Sequence, residues 1–309
     1  MRLISDGSFC LAAALCLFSF SPGIANSEDI APDAAGVQVE LIRPGDEPRR
    51  VVRFTPSVGD KQTAAMTIKM NQKMTLGGNQ LPSQPIPPQK ITMEIEVTDV
   101  AENGDITFEF EYTDMVVLDD PGNPSPLAET LETALKPMIG STGSGILSNR
   151  GITRKGEFNA SDGLSPQLKQ MLDGMKESLN RLSSPVPVEP IGRGAQWKVV
   201  QEVTANGMKL TQTSTHEILR IDENGFEMSV AIKQTAEPQD IQNPMLPPGT
   251  QLKLDSLDSN GTGKSTLMEN SILPVSSQLT IQTVADMSLD IAGQKQQMKT
   301  EVEIEMLFD

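Results

Sequence analysis

Apolar and polar residues alternate with a period of two along much of the chain. The apolar faces are Ala64, Met66, Ile68, Met70, Met74 and Leu76; Ile91, Met93, Ile95 and Val97; Ile106, Phe108, Phe110 and Tyr112; Leu279, Ile281, Ala285, Met287, Leu289 and Ile291; and Val302, Ile304, Met306 and Phe308. Glu, Thr and Lys dominate the positions between them. Successive side chains of a strand point to opposite faces, so the pattern predicts an antiparallel sheet with one wet face.

Short turn and helix signals separate these strands. Asn103-Gly104, Asn206-Gly207, Asn224-Gly225 and Gly293 are typical of tight hairpins, which need positive φ angles. A Ser-Pro pair opens each of two predicted helices, one after Ser125-Pro126 and one near residues 166–182. Each helix carries an apolar stripe at helical spacing, and we expect both stripes to pack against the sheet.

The chain resembles itself in two places. Residues 100–110 (VAENGDITFEF) match residues 221–230 (IDENGFEMSV), and Ser141–Gly145 matches Ser259–Gly263. We therefore predict two related halves, about 49–160 and 190–309, within one β-rich domain of residues 37–309. The predicted fold is mainly β, an antiparallel, internally duplicated curved sheet or half-barrel with one or two packed helices. The first half alone has a Pro-rich loop at 77–90, which we interpret as tolerated surface rather than a functional flap.

The first 25 residues have the layout of a secretory signal peptide. Arg2 precedes the apolar run Cys10–Phe20, and small residues lead up to Ala25. The run is shorter than the about 20 residues that span a bilayer. We predict a mature chain that begins near Asn26, lacks both cysteines, has a disordered lead-in at 26–36, and is periplasmic or extracellular.

Charge narrows the class of partner. The net charge is −16 and the pI is about 4.5. Nucleic acids and anionic membrane surfaces bind basic footprints, so we expect neither as a partner, and we expect no integral membrane span.

Catalytic and metal-binding motifs are incomplete. Residues 258–266 (DSNGTGKST) approach a phosphate-binding loop, but Asp258 stands where the first glycine is needed. His216 is the only histidine, so it cannot build a multi-histidine metal site, and no nucleophile motif accompanies it. We predict no enzyme, no cofactor and no metal.

The apolar face rich in methionine is the candidate ligand-binding site. Its predicted members are Met66, Met70, Met93, Phe108, Phe110, Met287 and Met306. Methionine adapts to irregular apolar ligands, although it also fills cores that have few aromatic residues.

The order of these features resembles an exported bacterial family of unknown function: a signal peptide, strands that open after Gly59 and Gly194, Asn-Gly hairpins, and a Gly-rich segment before a long final hairpin. That family is similar to a duplicated relative of the periplasmic lipoprotein carriers. The resemblance covers about residues 37–309 and implies a curved sheet that wraps a helix and holds acyl chains. It carries over no binding residue.

We therefore expect an exported, non-enzymatic binding or cell-envelope protein that holds a lipid or another apolar ligand. The alternatives are a structural or protein-interaction module with a filled core, with an envelope protein as partner, and a hydrolase of unrecognised type.

Overall fold

The structure is a computed structural model of the 309-residue chain, and it describes residues 36–120, 122, 124–159, 185–205, 208–241, 250–291 and 293–309. The predicted signal peptide, nearly all of the lead-in, the predicted helix near 166–182 and the Asn206-Gly207 turn lie outside the described residues.

Antiparallel strands make up most of the described chain and form one open, curved sheet of 14 strands. The strands are β1 (Gln38–Arg43), β2 (Lys61–Leu76), β3 (Asn79–Gln80), β4 (Gln89–Val100), β5 (Ile106–Val117), β6 (Thr142–Leu147), β7 (Thr153–Asn159), β8 (Gln196–Ala205), β9 (Met208–Ile221), β10 (Gly225–Ala236), β11 (Gln239–Ile241), β12 (Thr250–Met268), β13 (Ser276–Ile291) and β14 (Gln294–Phe308). The predicted fold class, mainly antiparallel β, is confirmed.

Neighbouring strands of the sheet follow the order of the chain in two stretches. The first stretch is β2 to β7 and the second is β8 to β14. The order is β1-β8-β9-β10-β12-β13-β14-β2-β4-β5-β6-β7, while β3 pairs with β2 and β11 pairs with β12. The pairing of β14 with β2 joins the two stretches, from Met298 opposite Leu76 to Phe308 opposite Met66. β1 lies beside β8, so it pairs with the second stretch rather than the first. This order is compatible with two related halves, although the duplication itself stays a prediction.

The inner face of the sheet is apolar, as the alternation predicts. Met66, Ile304 and Leu279 are almost completely buried, whereas the acidic residues between them face outward. Ion pairs such as Lys61–Glu96 (2.9 Å) and Lys69–Glu305 (3.5 Å) cross neighbouring strands on the outer face. Bulges interrupt the register of β4 and β5 near Thr92 and near Val97. In β5 the buried apolar positions change phase at the first bulge, from Tyr112 to Met115 and Val117, so the sequence pattern marks this bulge.

Two of the predicted hairpin glycines behave as expected, and a third does not. Gly104 and Gly293 have φ angles of 85° and 86° and lie in the β4–β5 and β13–β14 turns. Gly225 is instead the first residue of β10 and has no positive φ. A Cβ there would lie 2.3 Å from the carbonyl oxygen of Leu267, so close strand packing, not turn geometry, requires this glycine.

One helix is described, and it packs on the inner face. Helix α1 (Ala128–Leu135) is followed by a 3₁₀ turn (Lys136–Met138). Leu131, Leu135 and Met138 are buried against strand residues, so the predicted apolar stripe is confirmed. The Oγ of Ser125 accepts a hydrogen bond from the backbone N–H of Leu127 (3.2 Å), and regular helix begins later than the Ser-Pro pair predicts.

The linker between β1 and β2, residues 44–60, crosses one end of the sheet, which we call the capped end. The turns β4–β5, β6–β7, β9–β10 and β12–β13 also lie at this end. The backbone N–H of Phe54 donates to the carbonyl of Asn149 (2.8 Å), and the N–H of Thr55 donates to Glu269 (2.6 Å). These bonds tie the first stretch of strands to the second across the concave side.

The Pro-rich loop is anchored at its second half. The Oγ of Ser125, just before α1, donates to the carbonyl of Pro85 (2.9 Å), and the backbone N–H of Leu118 donates to Pro88 (2.7 Å). Ile86 packs against the same core as α1. Residues 82–85 remain exposed, so the loop combines an anchored stem with a surface tip.

Candidate functional site

A cavity of about 260 Å³ lies inside the capped end, between the two arms of the curved sheet. Strands β5, β6 and β7 form one wall, and β10, β12, β13 and β14 form the other. Phe54 of the linker and the β12–β13 turn at Ile272–Pro274 also line the cavity, which is partly open to solvent. The lining is mostly apolar and includes Phe54, Ile95, Phe108, Phe110, Leu147, Met228, Leu267, Ile272, Leu273, Leu279, Met306 and Phe308.

Small residues on the two walls create this space. Gly145 and Gly156 line it from β6 and β7, while Ser265 and Ser277 line it from β12 and β13. Protein interiors are normally packed to the density of organic crystals, so larger apolar residues at Ser265 and Ser277 would reduce the gap. The capped end therefore contains space that the side chains of the described residues do not occupy.

The glycines of β6 also set the position of the aromatic wall. A Cβ at Gly143 would lie 2.3 Å from Cζ of Phe110, and one at Gly145 would lie 2.5 Å from Cζ of Phe108. The two rings thus lie directly over the glycine backbone. The ring of Phe110 also meets Tyr112 at 5.7 Å between centroids, nearly edge to face, and Phe158 at 6.2 Å. This packing fixes an apolar surface beside the cavity.

The polar groups of the cavity are few and nearly all uncharged. The hydroxyls of Ser265 and Ser277 hydrogen-bond to each other at 2.7 Å. Lys155 is the one ionisable residue among the described lining residues, and its Nζ lies 2.8 Å from a carboxylate oxygen of Glu157. Both side chains of that pair are largely exposed. The inside of the cavity therefore offers hydroxyl groups but no buried charge.

The predicted site residues divide between this cavity and the packed core. Phe108, Phe110 and Met306 line the cavity. Met66 and Met70 are buried in the central core around α1, and Met93 packs against that core. Met287 belongs to another apolar cluster toward the opposite end of the sheet, with Leu254 and Met298. Sequence reasoning missed Phe54, Met228, Ser265 and Ser277, because contacts between distant strands bring them together.

A row of polar side chains crosses the inner face between the central core and the far cluster. Gln201, Gln212, Gln234, Ser259 and Thr283 stand opposite one another on successive strands from β8 to β13. Nε2 of Gln234 donates to Oε1 of Gln212, and the hydroxyls of Ser259 and Thr283 are 2.8 Å apart. Nε2 of Gln212 is buried and has no hydrogen-bond partner among the described residues. In the sequence these polar residues stand at apolar positions of the alternation, and that is the signal that marks the row.

Among the described residues, His216 and Ser214 most resemble a catalytic pair of a base and a nucleophile. Nε2 of His216 lies 2.7 Å from Oγ of Ser214, and the imidazole ring stacks on Trp197 with 5.0 Å between centroids. Burial lowers the pKa of His216 to about 4. The side chains of His216 and Ser214 are almost wholly buried. Within the part of the chain that the structure describes, Nδ1 of His216 has no hydrogen-bond partner, so no carboxylate there orients the ring as in a catalytic triad.

The structure does not support a phosphate-binding loop at residues 258–266. Residues 258–266, considered above as a loop, lie within the paired strand β12. An extended strand does not cradle a phosphate with consecutive backbone N–H groups. Among the described residues, no group of three or more His, Cys, Asp or Glu side chains is arranged to hold a metal ion. Within the same residues, no helix has the length and apolarity needed to cross a membrane.

No protein-family model and no curated protein matches the chain. Among solved structures, two mutants of the Rh. blastica porin are 6% identical to it, with TM-scores of 0.19 and 0.18. A structure titled "Asymmetric conductivity of engineered proteins" is 7% identical, with a TM-score of 0.18. Each alignment covers 80% of this chain and 100% of the other. Similarity this low carries no argument about fold or function.

Proposed function

We propose that this protein is an exported, non-enzymatic binding protein that holds a small apolar ligand in the cavity at the capped end. The observation that carries the proposal is the cavity itself, about 260 Å³ of space lined by phenylalanine and aliphatic side chains. Apolar cavities of this kind stay dry and accept apolar guests. The volume is slightly below the about 300 Å³ at which ligand pockets usually begin, so the buried part of the ligand is small.

Export is the second part of the proposal and rests on residues 1–25. Arg2, the apolar run and the small residues before Asn26 all support it. The intact mass of the protein purified from its own host should correspond to a chain that begins near Asn26. A lipid-modified Cys16 would contradict cleavage at that point.

The runner-up is a structural or protein-interaction module with a filled core. Dense packing of Met66, Met70 and Ile304 around α1 favours this function, because the methionines there fill the interior themselves. The two candidate functions differ in the capped end only, so a test has to be directed at the cavity.

Toluene binding, measured by calorimetry on the whole protein, is that test. Leu273→Trp adds bulk to the cavity wall, while the backbone of Leu273 stays held by the Gln62 amide (3.1 and 3.2 Å). We expect Leu273→Trp to abolish toluene binding. The matched control is Val275→Trp, two residues away on an exposed side chain, which should bind like the wild type.

The binding proposal fails if wild-type protein binds no toluene, or if both tryptophan variants bind it equally. Native mass spectrometry of protein from its own host gives a second readout. A co-purifying small apolar molecule that is absent from Leu273→Trp would support the proposed function.

A further inference from the structure

We propose that the natural ligand is an uncharged amphiphile of about eight to ten carbons, with a hydroxyl or carbonyl head that hydrogen-bonds to Ser265 and Ser277. This inference rests on the proposed function, because it specifies the ligand of the same cavity. It follows from the volume of the cavity, from the positions of its polar groups and from the charges around it.

The volume sets the length of the ligand. An apolar cavity of about 150 Å³ holds one benzene molecule, so a space of about 260 Å³ accepts a ligand of roughly ten non-hydrogen atoms. A medium-length alkyl chain with one head group fits this space. A longer chain would extend past the lining residues into solvent.

The serine pair sets the chemistry of the head. Ser265 and Ser277 lie opposite each other on β12 and β13 and share one hydrogen bond. A hydroxyl donates one hydrogen and accepts two, so the pair retains one donor and further acceptor sites. The other hydroxyl-bearing residues of the lining are Ser144, which stands opposite Glu109 on the outer face of the sheet, and Thr153, which already has another interaction partner. A ligand with a single polar atom therefore places that atom at the serines.

Neither an anionic nor a cationic head group finds a buried counter-charge among the described lining residues. A buried ionic head needs a buried counter-charge, and the described lining residues include only the exposed Lys155, already paired with Glu157. An anionic ligand also approaches a protein of net charge −16. A cationic head would approach favourably but would find no carboxylate among the described lining residues.

Calorimetric titration with 1-octanol, octanoate and octyltrimethylammonium at pH 7.5 tests the inference. We expect 1-octanol to bind at least tenfold more tightly than either ion. Ser277→Ala should weaken 1-octanol about three- to tenfold, the loss of one neutral hydrogen bond, and leave toluene unchanged. Ser276→Ala, at the exposed neighbouring position, is the matched control and should change neither ligand.

The outcomes separate this inference from the proposed function. If toluene binds but octanoate equals 1-octanol, or if Ser277→Ala weakens toluene as much as 1-octanol, the head-group inference is wrong and the cavity still binds. If neither toluene nor any octyl compound binds, the proposed function fails as well.

Discussion

His216 illustrates what the inner face does to a single residue. It occupies an apolar position of β9, where its ring packs on Trp197 and its Nε2 meets the Ser214 hydroxyl. Burial lowers the pKa of the imidazole to about 4, well below the usual 6.5. The side chain therefore acts as a neutral packing group at physiological pH.

Acid should destabilise the protein through this residue. Because the unfolded chain binds a proton near pH 6.5 and the folded chain near pH 4, stability is fully present above pH 6.5 and falls between those values. The expected slope is about 1.4 kcal/mol per pH unit, or roughly 3 kcal/mol in total. Urea unfolding of wild type and of His216→Phe, which keeps a flat ring, measures it as the difference between the two proteins. Parallel pH profiles for the two would contradict the assigned burial.

At the scale of elements, the sequence predicts strands well and their exceptions poorly. The alternation around Met66 and Ile304 is confirmed, because one wet and one dry face produce it directly. Ser141–Gly145 and Ser259–Gly263 carry turn-forming residues, yet all of them except Ser141 lie in strands β6 and β12. Their glycines are required by neighbours on other strands, such as Phe108 above Gly145. Local propensity contains no information about such neighbours.

At the scale of elements, the contribution of the row of polar side chains from Gln201 to Thr283 to the unfolding free energy can be measured. Gln234→Met removes the donor to Oε1 of Gln212 and leaves a buried amide without that bond. We expect this variant to lose about 1–3 kcal/mol of unfolding free energy. The double variant Gln212→Met with Gln234→Met replaces both amides by apolar groups and should recover most of that loss. Chemical denaturation of the single and double variants checks this, and purely additive losses would contradict the coupling.

At the scale of the whole molecule, the linker at 44–60 holds the capped end together. Nε of Arg50 donates to the carbonyl of Asp222 (3.0 Å), and its guanidinium forms an ion pair with Glu269. Arg50 thereby connects the linker to the β9–β10 turn and to the end of β12. Both partners of the ion pair are mostly buried, so its loss leaves a carboxylate poorly solvated.

Arg50→Met should therefore lower the unfolding free energy by about 1–3 kcal/mol. Arg49→Met is the control, since the hydrogen bond of Arg49 to the Gly45 carbonyl (2.8 Å) and its ion pair with the exposed Glu47 both stay within the linker itself, and their loss should cost about 1 kcal/mol. Thermal unfolding of the two variants provides the comparison. Equal losses would show that the linker does not tie the capped end.

The cavity belongs to this scale and could not be predicted from the sequence. Its walls come from strands that are distant in the chain, such as Phe108 of β5 and Met306 of β14. The strand order that brings them together depends on the β14–β2 pairing, which no local pattern encodes. The methionine-rich face supplies residues to the cavity lining. The sequence pattern of that face does not show which of its residues line a cavity and which are packed in the core.

Methionine methyl resonances provide the most direct test of a ligand cavity at the capped end. In protein labelled at the methionine methyl carbons, Met228 and Met306 report on the cavity, whereas Met287 and Met298 report on the far cluster. Titration with toluene should shift the first two resonances in a saturable way and leave the other two in place. Unchanged Met228 and Met306 resonances at saturating toluene, or equal shifts at all four, would contradict the account.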